Sequence, residues 1–301
     1  MRGLRQSKGT NWLLALAALQ LVTLSLAPGQ TAALLKEDAL PRTSGASICE
    51  QTAAPSSLKN AFLQVCRRKP PVTPDSAIPQ TIIIGFVGGF VKHDDARHPE
   101  VQFAAYLRHR YPAGLHAEVF SNHHAQEAFR QVLRLLDTDH DGDLTATEKD
   151  QARIIIYGHS WGASQTVAFA RELGQNGIPV LLTIQLDSIA KPGQNDATIP
   201  SNVASAANFY QPGGFLHGRS QILPTDPART RIIGNFRMTY EHHPINCDNY
   251  PWFARTFNKP HHEIENDPRV WDQAAALIDS ELSSPTSTAQ PSSPAQSALL
   301  K

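Results

Sequence analysis

Short apolar runs alternate with amphipathic segments along the middle of this chain, and this alternation limits the possible folds more than any other feature. The runs TIIIGFV (81–87) and RIIIYGHS (153–160) consist mainly of β-branched and other apolar residues. PEVQFAAYLRHRYP and AQEAFRQVLRLLD, which lie between them, have the residue spacing of amphipathic helices. Strands without a polar face are buried on both sides, so the pattern predicts an α/β fold with a mostly parallel sheet flanked by helices.

Five further segments continue the pattern. Strands are expected in HAEVFS (116–121), IPVLLTIQLDSI (178–189) and TRIIGNF (230–236), and helices in GASQTVAFARELGQNG (162–177) and DPRVWDQAAALIDSEL (267–282). NVASAANFYQ (202–211) is less regular and is assigned to no element. The whole span from 80 to 282 therefore predicts one compact domain.

The two ends of the chain differ in composition from this domain. Residues 1–33 combine three basic residues, an apolar run of about 15 residues and then small residues, which is typical of a cleaved secretory signal peptide and too short for a membrane span. Residues 34–79 are rich in proline and polar residues and predict a linker. Residues 283–301 are rich in serine and proline, and disorder is expected there.

The signal sequence predicts a secreted or periplasmic protein that keeps no stable membrane span after cleavage. In that oxidising setting Cys49, Cys66 and Cys247 allow three different single disulfides, and the sequence does not choose among them. With 27 basic and 27 acidic residues the formal net charge is +0, which argues against a nucleic-acid partner.

Ser160 lies in a G-x-S-x-G motif with Gly158 and Gly162, directly after a predicted strand and directly before a predicted helix. A serine on such a sharp turn brings the residues two positions away against neighbouring backbone, where only glycine fits. In this context the motif predicts a serine nucleophile.

On this motif the chain resembles the α/β-hydrolase family, including its lipases and esterases, over about residues 80–282. The resemblance implies that Ser160 accepts an acyl group and that the acid and then the histidine follow it in the chain. Asp187 is the expected acid because it ends a hydrophobic strand, and strand carboxyl ends face the ligand crevice of such sheets. Asp226 and Asp248, in loop-like segments, are the alternatives.

The resemblance also indicates the base, since the family commonly has this histidine seven residues before the proline that opens the last helix. Counting back from Pro268 gives His261, and His262 is the alternative. Two backbone N–H groups, those of Trp161 and Phe90, are expected to hold the reaction's oxyanion. No H-E-x-x-H or Cys/His spacing indicates a zinc site, and no organic cofactor is expected.

A second motif, DTDHDGDLTATE (137–148), lies just before the nucleophile strand and resembles an EF-hand calcium loop. Aspartates occupy its positions 1, 3 and 5, glycine position 6 and glutamate position 12, which surrounds one point with oxygen atoms. Only KDQA separates the motif from the next strand, so its second helix has room for about one turn, and a structural role is expected. The expected calcium ligands are Asp137, Asp139, Asp141, Asp143 through its carbonyl, Thr145 through water, and Glu148.

Together these features predict an exported serine hydrolase that acts on small-molecule or lipid carboxylic esters and carries a structural calcium site. Two alternatives stay open. The same triad could serve a peptidase or amidase, or the chain could be a non-catalytic secreted calcium-binding protein on a hydrolase scaffold.

Overall fold

The computed structural model describes residues 81–283, except 249, 251, 253–255 and 257. The predicted signal peptide, the linker, Cys49, Cys66 and nearly all of the tail lie outside the described residues. Among the described helices, none is long and apolar enough to cross a membrane.

Strands and helices alternate through most of the described chain. The elements are β1 (Thr81–Val87), α1 (Pro99–Arg110), β2 (Leu115–Ser121), α2 (Ala125–Leu136), α3 (Ala146–Asp150), β3 (Arg153–His159), α4 (Trp161–Gln175), β4 (Val180–Leu186), β5 (Thr198–Ile199), β6 (Val203–Tyr210), β7 (Leu223–Pro224), β8 (Arg231–Arg237), α5 (Lys259–Asn266) and α6 (Pro268–Ser283).

Six of the strands form one sheet in the order β2-β1-β3-β4-β6-β8, and every neighbouring pair in it is parallel. The mostly parallel sheet flanked by helices that the sequence predicted is confirmed. Because all six strands run the same way, their carboxyl ends meet at one edge, where loops from different parts of the chain come together.

Helices cover both faces of the sheet. Ile83 and Ile155 point to the face covered by α1 and α6, where Trp271 is part of the same hydrophobic cluster. Their chain neighbours Ile82 and Ile154 point to the opposite face, covered by α2 and α4. The alternation of side chains along a strand therefore buries both faces of β1 and β3, which explains their continuous apolar sequences.

The segment 202–211 differs from the sequence-based expectation, since it contains β6, one of the inner strands. Alanine, which occurs three times in this segment, is depleted in strands, so the local pattern does not indicate a strand there. Pairing with β4 on one side and β8 on the other outweighs that weak local preference.

Candidate active site

The turn between β3 and α4 holds Ser160 at the carboxyl edge of the sheet. Its backbone is strained, with φ 56° and ψ −122°, a left-handed conformation that costs a non-glycine residue free energy. The Ser160 N–H donates to the carbonyl of Leu186 at the end of β4, at 3.0 Å. That bond fixes the serine beside the next strand of the sheet.

The two glycines of the motif allow the helix to approach the sheet this closely. A Cβ atom on Gly162 would lie 2.1 Å from the carbonyl oxygen of Phe86 in β1, and one on Gly158 would lie 2.5 Å from the carbonyl carbon of Gly162. Neither distance is compatible with a side chain. The first turn of α4 therefore rests directly on backbone.

His261, the third residue of α5, connects the serine to the predicted acid. Its Nε2 lies 2.9 Å from Ser160 Oγ, and its Nδ1 lies 2.7 Å from Asp187 Oδ2. All three side chains are buried. Since a carboxylate accepts hydrogen bonds, Nδ1–H donates to Asp187, which leaves Nε2 free to accept the serine proton.

Asp187 follows β4 with φ 43° and is completely buried. Its carboxylate accepts four hydrogen bonds, from the backbone N–H groups of Gln211 and Gly218, the Gln211 side-chain amide and His261 Nδ1. Burial opposes ionisation, but the bonds from His261 and Gln211 outweigh it and lower the pKa of Asp187. A negative charge is therefore stable at this position.

Gln211 and Gly218 had not been identified from the sequence. Gln211 directly follows β6, the strand that the sequence left unassigned, so its position at the sheet edge could not be inferred. A Cβ atom on Gly218 would lie 2.4 Å from the carbonyl carbon of Asp187, so its glycine is required by contact with the acid.

The alternative residues lie elsewhere. The ring of His262 stacks on Tyr250, with 4.1 Å between ring centroids, and its Nδ1 lies 3.7 Å from a carboxylate oxygen of Glu265. Asp226 accepts the N–H of Ala228 within its own loop, and Asp248 is exposed. Of the candidates, only His261 lies within hydrogen-bond distance of Ser160 Oγ, and of the candidate acids only Asp187 bonds to His261.

The loop after β1 lies against the nucleophile. A Cβ atom on Gly88 would lie 3.1 Å from the Cβ of Ser160, so this loop packs closely against the nucleophile turn. The side-chain amide of Asn122, which follows β2, donates to the carbonyls of Val87 and Gly89. These two bonds stabilise the turn after β1. Trp161 is the first residue of α4, so its N–H is not needed within the helix.

Three rings form a small surface beside Ser160, which we call the aromatic rim: Phe90, His123 and Trp161. Phe90 stacks on His123 with 5.3 Å between centroids and meets Trp161 edge-on at 5.5 Å. Phe90 is 49% exposed, whereas Ser160 is 8% exposed. The rim therefore offers an accessible apolar surface next to a recessed hydroxyl.

Neither a protein-family model nor a curated protein sequence matches this chain. Solved structures with a similar arrangement include a cutinase-like protein from Cryptococcus sp. (13% identity, TM-score 0.38, 70% of this chain and 98% of that one). An acetyl xylan esterase (12%, 0.31, 68% and 99%) and an arylesterase (14%, 0.26, 37% and 38%) are also similar, so the chain spans well under half of the arylesterase. Similarity at this level does not establish a shared activity.

The predicted calcium loop is folded into a compact turn between α2 and α3. One carboxylate oxygen each from Asp137, Asp139 and Asp141 lies within 4.8 Å of the other two, and Glu148 is outside this group. Gly142 has φ 90°, and its N–H donates to Asp137 Oδ2 at 3.1 Å. Helix α3 has five residues, as the short spacing before β3 predicted.

The residues of this loop fit a hard cation. Asp137 Oδ1 is buried and makes no hydrogen bond within the described part of the chain, so one carboxylate oxygen is left free inside the turn. Glu148 accepts bonds from the backbone and hydroxyl groups of Thr138 and Thr145, which hold its pKa at about 2. Its carboxylate thus closes the loop at its base and stays ionised. Asp143 is exposed on the loop surface.

Replacement of Gly162 by alanine tests the close contact between α4 and β1. Gly162→Ala is expected to lower the free energy of unfolding by about 1–3 kcal/mol, because the methyl group overlaps the Phe86 carbonyl. Chemical denaturation followed by circular dichroism measures this change. Gly213→Ala is the control, since the nearest atom to its new Cβ would be Cγ of the Pro260 side chain at 3.3 Å. Equal losses in the two variants would contradict the contact.

Proposed function

We propose that this protein is a serine hydrolase that cleaves carboxylic esters by two-step acyl transfer. The observation that carries the proposal is the continuous chain of hydrogen bonds from Ser160 through His261 to Asp187. A hydroxyl bonded to a neutral imidazole, itself oriented by a buried carboxylate, is the arrangement that activates serine as a nucleophile.

In the first step His261 Nε2 takes the proton of Ser160 as Oγ attacks the ester carbonyl carbon. The tetrahedral oxyanion is held by the backbone N–H groups of Trp161 and Phe90. His261 then gives the proton to the leaving alcohol, which departs as the acyl-enzyme forms. Asp187 stabilises the imidazolium without taking its proton, because its four hydrogen bonds favour the charged carboxylate.

In the second step water replaces the alcohol. His261 accepts a proton from water as it attacks the acyl carbonyl, and Ser160 leaves with that proton. The aromatic rim supports esters with an apolar group as substrates, whether small molecules or lipids, because its exposed Phe90 ring gains from contact with apolar surface. The same groups also suit amides, so the substrate panel below includes both bond types.

Calcium at Asp137–Glu148 is the second part of the proposal. Three clustered aspartates and the buried free oxygen of Asp137 support it. The ion would contribute stability by neutralising carboxylates that otherwise repel one another. The signal sequence supports export, and calcium concentrations outside cells are high enough for a loop of modest affinity.

Replacement of the nucleophile tests the reaction directly. Ser160→Ala is expected to lower kcat/KM for short nitrophenyl esters on the order of 10⁴-fold or more, since no other described hydroxyl contacts His261 Nε2. A panel of esters and anilides of equal acyl length, measured on the full chain, gives bond preference. Ser205→Ala, also buried but at the opposite end of the sheet, should retain activity.

Labelling by a fluorophosphonate probe distinguishes this proposal from a non-catalytic protein on the same scaffold. The full chain should be labelled at Ser160 and not in the alanine variant. An unlabelled, inactive but folded wild-type chain would contradict the proposed hydrolase.

Replacement of the acid tests the orientation of the base. Asp187→Asn is expected to lower kcat on the order of 10⁴-fold with little change in KM, because an amide favours the wrong tautomer of His261. Asp226→Asn, in a loop away from Ser160, should leave kcat unchanged. If the two variants kept equal activity, the acid would have to be another residue.

Calcium removal tests the loop. At a fifty-fold excess over its dissociation constant, calcium should stabilise the fold by about 2 kcal/mol and raise Tm by roughly 4–8 °C relative to a chelator. The double variant Asp137→Asn/Asp139→Asn should lose this response, whereas Asp94→Asn, in the exposed loop before α1, should keep it. If the Tm of the wild type were the same with calcium as with chelator, the proposed site would be wrong.

A further inference from the structure

Five ionisable side chains form a second buried group next to the triad, which we call the His/Glu cluster. His98 and Glu100 lie at the start of α1, His159 ends β3, and His262 and Glu265 lie on α5. Two of them are chain neighbours of the triad, since His159 precedes Ser160 and His262 follows His261. The proposed acyl-transfer chemistry uses none of the five.

Three of these side chains converge on one point, and His159 lies beside them. His98 Nδ1 lies 2.9 Å from Glu265 Oε1, and one ligand atom each from His98, Glu100 and Glu265 lies within 4.8 Å of the others. His159 Nδ1 lies 3.5 Å from Glu265 Oε2 and 3.8 Å from Glu100 Oε1. Three segments far apart in sequence therefore bring nitrogen and oxygen atoms together.

The tautomer of His159 follows from its other ring nitrogen. Nε2 lies 3.2 Å from the backbone carbonyl of His261, which only accepts hydrogen bonds, so Nε2 carries the hydrogen. A neutral His159 then presents the Nδ1 lone pair toward Glu100 and Glu265. Such an arrangement, with one imidazole nitrogen fixed by a carbonyl and the other free, is typical of metal-bound histidine.

Glu100 is an unusual carboxylate. It is 1% exposed, and within the described part of the chain neither oxygen makes a hydrogen bond of good geometry. The Tyr157 hydroxyl, the nearby donor, bonds to the backbone carbonyl of Glu100 instead of its side chain. A buried carboxylate without a hydrogen bond is unfavourable, and the nearby His98 pairs with Glu265 instead of Glu100.

Both the spacing and the charge suit a tetrahedral divalent ion. Zinc bonds of about 2.0–2.1 Å place neighbouring ligand atoms about 3.3 Å apart. His98 Nδ1 lies 2.9 Å from Oε1 of Glu265, and His159 Nδ1 lies 3.5 Å from Oε2 of Glu265 and 3.8 Å from Glu100 Oε1. Zn²⁺ would displace the proton that pairs His98 with Glu265 and would balance the negative charges of the two carboxylates. Imidazole and carboxylate are also ligands that zinc accepts.

We propose that this cluster binds one Zn²⁺ ion through four side chains: His98, Glu100, His159 and Glu265. With four protein ligands the site is closed, so its role is structural. The ion joins the residue before Ser160 to the helix that carries His261, and so fixes the distance between nucleophile and base. His262 is not a ligand in this proposal. Its Nδ1 lies 3.7 Å from Glu265 Oε2, where it helps to orient the carboxylate of Glu265.

Metal content tests the site independently of any substrate, so its result is separate from that of the proposed hydrolase. The untagged full chain, kept in excess calcium to fill the loop at 137–148, is equilibrated with ZnCl₂, desalted and analysed by mass spectrometry of the elements. About one zinc per chain is expected. Loading with Co²⁺ should give the visible absorption of a tetrahedral site.

The decisive variant is Glu100→Gln, which keeps the side-chain shape and replaces a carboxylate with no hydrogen-bond partner among the described residues. It should lose at least about ten-fold in zinc affinity and the rise in Tm that zinc gives the metal-stripped wild type. Glu118→Gln is the matched control, because Glu118 also pairs with a histidine, His116 at 3.0 Å, but lies on the surface of β2.

Three results would overturn the site: no zinc on the wild-type chain, a wild-type Tm unaffected by zinc, or equal zinc uptake by Glu100→Gln and wild type. The first two concern the wild type alone, so they decide the question even if the variant fails to fold. Either would mean that the two carboxylates share a proton instead of a metal ion.

Discussion

The position of Ser160 depends on direct contact between the first turn of α4 and the backbone of β1. Gly162 makes that contact possible, because any side chain would overlap the Phe86 carbonyl. The strained backbone of the turn is held by the bond from the Ser160 N–H to Leu186, and Asp187 is the next residue along that strand. One close contact therefore brings nucleophile and acid to neighbouring strands of the same sheet edge, where His261 reaches both.

Asp187 and Glu100 are both buried near this edge, but they differ in the number of hydrogen bonds that their carboxylates accept. Asp187 accepts four hydrogen bonds, so its charge is balanced by donors that also fix its direction. Glu100 accepts none of good geometry within the described residues, although it is as deeply buried. This contrast is the physical reason to expect a cation beside Glu100 and none beside Asp187, where a further positive charge would compete with His261.

The proposed calcium loop lies at the other end of the sheet. It precedes the amino end of β3, and Ser160 follows the carboxyl end, so the seven residues of the strand separate them by about 20 Å. β3 is completely buried between β1 and β4, which hold it in place along its length. Calcium at the loop would therefore raise stability, whereas an ion in the His/Glu cluster would hold Ser160 and His261 in register.

The sequence by itself determined those features that depend on neighbouring residues: the alternation that produces a parallel sheet, the glycine-flanked turn at Ser160 and the acidic spacing of the loop at 137–148. It left β6 unassigned, because small residues form that strand only when both sides are paired. It also left two adjacent histidines as possible bases and gave no sign of Gln211 or of the His/Glu cluster. Only the tertiary structure decided these, because their atoms come from segments far apart in the chain, and packing rather than local preference brings them within bonding distance.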